Sequence, residues 1–450
     1  MTDSPFTEIV KAYDVRGVVP EQLNEELAFA LGAAFADELV DAAEVVIGFD
    51  MRESSPGLAK AFGLGLRSRG VAVRNIGLAS TDLLYFASGH FDLPGVMVTA
   101  SHNPAQYNGF KLCRAGAKPI GYETGLGAIA AKSNKYLGIT AEPKADETSV
   151  NVLDGYVATM HQLVPISSRR QLKVVVDAAN GMAGHTVPAA FASLNCELVE
   201  MYFELDGSFP NHEANPLEPD NLKDLQAAVV TNKADLGLAF DGDADRCFVV
   251  DEKGDPVSPS LITALIAKRL LQQNPGATVL YNSICSDIVP ETIAAHGGKS
   301  IRTPVGHSLI KAVMAKESAV FGGEHSGHYY FADFYGADSG MLAALHVMSE
   351  LADSALPLSQ LVAEFDRYFV SGEINRTVKS QSQTIARIKQ EFADRELDEL
   401  DGLTVRADDW WFNVRASNTE PLLRLNVEAN DGQTLANVRD YVLSVIEREE

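Results

Sequence analysis

Cysteine is scarce: four in 450 residues, Cys113, Cys196, Cys247 and Cys285. No two form a C-x-x-C pair. That excludes a cysteine zinc site and a disulfide framework, and it fits a reducing cytoplasm. Basic residues run short as well. Lysine and arginine number 37 against 61 aspartates and glutamates, a net charge of −24. Such a balance argues against non-specific nucleic-acid binding, so no nucleic-acid partner is expected. An anionic substrate would need a locally basic cleft. Long hydrophobic runs are missing too. The longest, Leu27 to Ala36, is broken by Asp37 and Glu38 and is too short to span a membrane, so no membrane partner is expected. The opening residues, Met1-Thr-Asp-Ser-Pro-Phe, carry neither a basic nor an apolar leader segment. We therefore expect a cytoplasmic protein.

What remains is ordinary globular composition, 46% hydrophobic and 22% charged. A chain this long should form several domains, because single cores stop growing at shorter lengths. Three successive segments alternate short β-rich runs with helical patterns. In the first, strands are predicted at 44–50, 71–77 and 95–99, with a helix opened by Ser55-Pro56 and closed by Gly70. In the second, strands at 172–177, 198–202 and 236–240 alternate with helices at 182–194 and 222–232. In the third, strands at 278–282, 300–303 and 319–321 alternate with helices at 260–273, 287–296 and 307–316. This alternation predicts parallel α/β units. The last stretch differs. Strands at 403–407, 410–415 and 422–428 with two helices predict an α+β module. Expected domains are 1–148, 149–253, 254–367 and 368–450.

Four motifs carry the chemistry. Thr99-Ala-Ser-His-Asn-Pro104 follows the apolar run Gly95–Val98. It sets Ser101, a candidate nucleophile or phosphate carrier, beside His102 at a strand end, where open α/β sheets bind ligands. The plain alternative is a polar turn. Asp241-Gly-Asp-Ala-Asp-Arg246 also follows a predicted strand. Carboxylates at Asp241, Asp243 and Asp245 can converge on a hard cation such as Mg²⁺, and Arg246 can bind phosphate oxygens. A calcium EF-hand needs glycine where Arg246 stands, and helices where strands are predicted, so it is rejected. A phosphatase with an Asp241 nucleophile would leave Ser101 without a use. A solvated acidic turn would bring carboxylates close enough to repel.

Gly322-Gly-Glu-His-Ser-Gly-His328 offers Glu324 and Ser326 for hydroxyl recognition, or is simply a tight turn. Arg415-Ala-Ser-Asn-Thr-Glu-Pro421 reads as a phosphate nest or as a β-turn between strands.

Together with Tyr107-Asn-Gly-Phe-Lys111, these motifs resemble the four signatures of the α-D-phosphohexomutase superfamily, in the family's order and across the whole chain. Within it the chain looks most like the bacterial phosphomannomutase/phosphoglucomutase group. The resemblance implies three mixed-sheet α/β domains and a C-terminal α+β domain around a central cleft. It implies that Ser101 is phosphorylated, and that Asp241, Asp243 and Asp245 hold Mg²⁺ together with a phosphoserine oxygen. Tyr13 and Arg16 match an N-terminal active-site signature. Lys111 and His102 match positions tied to proton transfer, and His307 matches a sugar-contacting loop. Glu324, Ser326 and His328 would face the sugar. Arg415, Ser417, Asn418 and Thr419 would hold the non-reacting phosphate.

The implied substrates are mannose or glucose 1- and 6-phosphates, with hexose 1,6-bisphosphate as intermediate and activator. The expected assembly is a monomer or small homo-oligomer. Two departures stand out: His325 replaces a usual methionine, and Tyr281-Asn-Ser-Ile-Cys-Ser lacks a lysine that some relatives carry. The alternatives are a phosphoglucosamine mutase and a Mg²⁺-dependent phosphatase with an Asp241 nucleophile.

Overall fold

The computed structural model describes residues 4–39, 42–417 and 422–448. Four sheets follow one another along the chain. The first has the spatial order Val15–Val18, Tyr107–Arg114, Gly95–Val98, Glu44–Phe49, Ala72–Leu78, Glu147–Ser149. Its centre is parallel, but Tyr107–Arg114 runs antiparallel to Gly95–Val98. In the second, Leu236–Phe240 lies parallel to Leu172–Asp177 and antiparallel to Cys247–Asp251. In the third, Phe321–Gly323 lies parallel to Thr278–Asn282 and antiparallel to Tyr329–Phe331. The fourth is antiparallel around Trp410–Ala416 and Leu422–Ala429.

The three α/β sheets are thus mixed rather than purely parallel. The alternation pattern missed this in the first and third units, because the returning strands follow without an intervening helix. The consequence is functional. Each of the four motifs occupies the reversal between a strand and its antiparallel neighbour, so one position in the topology is used four times.

Local expectations needed two corrections. The helix Ser55–Ser68 has Pro56 in its first turn, but Ser55 does not cap it. The Ser55 hydroxyl donates to Asp50 Oδ1 (2.5 Å) and accepts from Asn108 Nδ2 (2.9 Å). Gly322 and Gly323 end a strand instead of belonging to the third loop. A Cβ on Gly323 would lie 2.3 Å from Thr263 Oγ1, so this glycine admits a helix, not a ligand. The apolar run at Leu27 forms the helix Glu25–Glu38, with residues 27–36 all buried. No helix among the described residues is long and apolar enough to cross a membrane.

Candidate active site

Ser101 stands in the left-handed region, φ +50°, a conformation that costs a non-glycine residue free energy. Its surroundings overdetermine that geometry. Arg52, 2% exposed, donates to four main-chain carbonyls of the loop: Ser101, Asn103, Pro104 and Tyr107, at 2.7 to 2.9 Å. Asp50 faces Arg52 Nε at 3.3 Å. Sequence reasoning missed this pair. The signal was an Asp and an Arg two residues apart just beyond the strand Glu44–Phe49.

The Ser101 hydroxyl donates to Asp241 Oδ2 at 2.7 Å, and His102 Nδ1 lies 3.3 Å from it. The second loop approaches so closely that a Cβ on Gly242 would sit 2.4 Å from the Ser101 carbonyl oxygen, a gap that admits only glycine. Oxygens of Asp241, Asp243 and Asp245 all lie within 4.8 Å of one another, and all three residues are buried. Thr81 donates its hydroxyl (2.6 Å) to Asp243 Oδ2 and its amide (2.9 Å) to the Asp243 carbonyl. Lys111 Nζ bridges Asp243 and Asp245 at 2.6 and 2.5 Å.

Charge follows from this packing. Burial and the neighbouring Asp245 and Asp243 push the Asp241 carboxyl well above its usual range. Burial opposes the Asp243 charge as well, but Lys111 and the hydroxyls around it win and hold this carboxyl below the usual range. Burial also opposes the Lys111 charge, yet Asp243 and Asp245 outweigh it and keep the ammonium firmly protonated. Burial, with Arg246 and Arg16 nearby, holds His102 well below its usual value and therefore neutral. Two buried oxygens, Asp243 Oδ1 and Asp245 Oδ1, have no hydrogen-bond partner. Hard carboxylate oxygens left open in this way fit a small divalent cation.

The other expected residues are distributed around this centre. Arg246 Nε lies 3.6 Å from Asp241 Oδ2. Arg16 donates to Asn103 Oδ1 and Asp14 Oδ2, both at 2.5 Å, and so reaches the Ser101 loop. Tyr13 lies against Gly306 in the third unit. Glu324 is buried, and both its oxygens are engaged: Tyr330 donates to Oε1 (2.5 Å), Asn282 (3.1 Å) and the Gly306 amide (3.4 Å) to Oε2. Ser326 is partly exposed on the same loop.

His328 turns inward, with Nδ1 at 3.0 Å from Asp338 and 3.7 Å from Asp245. Lys311 pairs with the other Asp338 oxygen at 2.5 Å. Arg415 pairs with Glu373 at 2.9 Å, and the Ser417 amide donates to Leu422 at 2.9 Å. Asn418 and Thr419 lie outside the described residues, as does the His307 side chain.

The four hairpin loops, three buried carboxylates and a strained serine define a class. Four domain profiles of one family match this chain: phosphoglucomutase/phosphomannomutase alpha/beta/alpha domains I, II and III at residues 7–136, 154–254 and 258–368, and the C-terminal domain at 373–445. The chain belongs to the phosphoglucomutase/phosphomannomutase family, within the α-D-phosphohexomutase superfamily, and is an isomerase that transfers phosphoryl groups.

Among its relatives, a protein of Xanthomonas campestris pv. campestris described as "phosphohexose mutases" is 41% identical over 438 residues, covering 96% of this chain and 98% of the relative. The phosphomannomutase of Escherichia coli K12 is 38% identical over 444 residues, covering 96% and 97%. A solved phosphoglucomutase/phosphomannomutase family protein from Burkholderia thailandensis superimposes with a TM-score of 0.90 at 33% identity, covering 99% of this chain and 98% of that one.

Proposed function

We propose that this enzyme interconverts hexose 1-phosphates and hexose 6-phosphates of mannose, glucose or both, through phosphorylated Ser101 and a hexose 1,6-bisphosphate. Domain boundaries near residues 148, 253 and 367 belong to the same reading. The observation that carries it is the convergence of Ser101 Oγ on Asp241 inside the three-carboxylate cluster, 2.7 Å away. A phosphoserine there would add its oxygens to those of Asp241, Asp243 and Asp245. These residues would hold Mg²⁺, which when bound supplies charge neutralisation at the transferring phosphoryl group.

In the forward half-reaction the free hydroxyl of a hexose 1-phosphate attacks the phosphorus. The bond between phosphorus and Ser101 Oγ breaks, and the new bond to the sugar oxygen forms. The hydroxyl proton goes to His102, whose neutral state supports it as the base over the cationic Lys111. His102 then protonates Ser101 Oγ. Arg246 and Lys111 neutralise charge at the transfer point. After the bisphosphate turns over, the other phosphoryl group returns to Ser101.

Arg415 and Ser417, with Asn418 and Thr419, would bind the phosphate that is not reacting. Glu324, Ser326, Tyr13 and His307 would bind the sugar. His328, expected from the sequence to face the sugar, would instead support the carboxylate cluster, because its Nδ1 lies 3.0 Å from Asp338 and 3.7 Å from Asp245. A phosphatase with an Asp241 nucleophile is disfavoured, because Asp241 is fully buried and its Oδ2 already accepts from Ser101.

Intact-mass measurement with peptide mapping tests the proposal. We expect a phosphate on Ser101 and loss of turnover in Ser101→Ala with an unchanged fold. A Ser101→Ala enzyme near the wild-type rate, with trace bisphosphate present, would overturn it.

A further inference from the structure

The third loop carries a histidine that the reading above does not use. His325 lies between Glu324 and Ser326 and is partly exposed. Its Nδ1 faces Asn282 Nδ2 at 3.1 Å. The orientation of that amide is fixed from both sides. Asn282 Nδ2 also points to Glu324 Oε2 at 3.1 Å, a carboxylate oxygen that only accepts. Asn282 Oδ1 accepts from Cys285 Sγ at 3.1 Å and from the Ile284 amide at 3.4 Å. The nitrogen of the amide therefore donates to His325, and Nδ1 must accept. In a neutral imidazole the proton then sits on Nε2.

Among the described residues, Nε2 has no hydrogen-bond partner. The ring's charge state agrees with this geometry: burial, then Arg415, Arg246 and Arg424, push its pKa to about 3. His325 is thus neutral throughout the physiological range. It offers one N–H whose position does not change with pH.

We infer that His325 is a specificity residue that donates Nε2–H to a hydroxyl oxygen on the sugar ring of the hexose phosphate. The inference rests on the mutase reading and deepens it. The neighbouring arginines meet the charge of phosphate, so a neutral donor best suits a neutral acceptor. Glu324 stands beside it as an acceptor. A ring hydroxyl can donate to the carboxylate and accept from the imidazole at the same time, which a position lacking the hydroxyl cannot do. Asn282 ends the strand Thr278–Asn282, in a segment that carries no lysine. Its task here is to pin two neighbours, His325 and Glu324, with one amide.

The test uses the full-length enzyme, glucose 1-phosphate, and its 2-, 3- and 4-deoxy analogues. His325→Leu should raise KM for glucose 1-phosphate roughly tenfold with kcat nearly unchanged, the loss of one hydrogen bond. His325→Gln, which keeps a donor amide, should recover most of that loss. One deoxy analogue should be a poorer substrate than glucose 1-phosphate for the wild type but no worse for His325→Leu. Nitrogen-15 NMR of the wild type should show the proton on Nε2 of His325, unchanged from pH 6 to pH 8. A Leu variant with unaltered KM, or a proton on Nδ1, overturns the inference while the mutase reading stands. A wild type that turns over no hexose phosphate fails the mutase reading, and this inference falls with it.

Discussion

Where the first three units meet, the contact is apolar and continuous. One hydrophobic cluster runs from Leu84 and Met97 through Val174 and Leu238 to Phe321 and Leu345. The fourth unit keeps its own core, around Leu403, Phe412, Leu425 and Val442. It meets the third unit through charge. Arg406 holds Asp287 at 2.8 and 3.0 Å, and Arg302 pairs with Asp398. Asp401 accepts from Ser283 Oγ and the Val305 amide, both at 3.0 Å.

A shared apolar core must come apart as a unit, whereas polar contacts exchange readily for water. The difference divides the labour. The serine and aspartate loops sit with the units that share the apolar core, and the loop carrying Arg415 sits with the unit that is joined through polar contacts.

The largest effect should come from breaking the side with the shared core. Arg52→Ala leaves Asp50 buried without its cationic partner and releases four carbonyls of the Ser101 loop. We expect a loss of about 3–5 kcal/mol of stability, measured by chemical denaturation. Arg52→Lys keeps the charge but not the fork, and should fold while losing most of its turnover.

The next test addresses the polar seam. Glu428 accepts from the Asp287 amide (2.9 Å) and Trp411 Nε1 (2.8 Å), and burial raises its carboxyl from an ordinary 4.5 to about 7. A raised folded value means that this contribution is complete at pH values below 4.5, declines as pH rises toward 7, and is lost above it. Glu428→Gln should remove that slope and exceed the wild type by about 3 kcal/mol at pH 8, read from denaturation at several pH values. Equal slopes in both proteins would show that Glu428 does not titrate there.

Tyr156→Phe removes one donor from the buried Asp82 carboxylate, where three units join. A loss of about 2 kcal/mol is expected, without a change in KM. The smallest change belongs to Arg406→Ala. This partly exposed pair should contribute at most about 1 kcal/mol. Amide exchange in the fourth unit should nevertheless quicken, while the first three units stay unchanged. If exchange rose across all four units, the contrast between the two seams would be wrong.

Three of the loops stood out because their residue types are unusual together: a serine beside a histidine, three alternating aspartates, a glutamate among glycines. Most strands were legible from apolar runs such as Leu172–Asp177 and Thr278–Asn282, which match the structure at both ends. What escaped had a weak local signature or none. Tyr107–Arg114 alternates with too many polar residues to read as a buried strand. Arg52 and Thr81 act on atoms far along the chain, 49 and 162 residues away at Ser101 and Asp243. Glu324 read as a free recognition group, but its partners Tyr330 and Asn282 become visible only in three dimensions.

Asp82 gives the molecule an order of completion. Its carboxylate accepts from Ser80 in the first unit, from Tyr156 at 74 residues' distance and from Ser339 at 257. On the ribosome these hydroxyls emerge one after another. The first unit leaves the exit tunnel with a carboxylate that has only its local partner and still needs water. The helix containing Tyr156 supplies the second bond, and the set closes only when Ser339 arrives. Burial of Asp82 is therefore a late event in synthesis. A nascent chain halted before residue 339 should hold this carboxylate wet and its first unit incompletely docked.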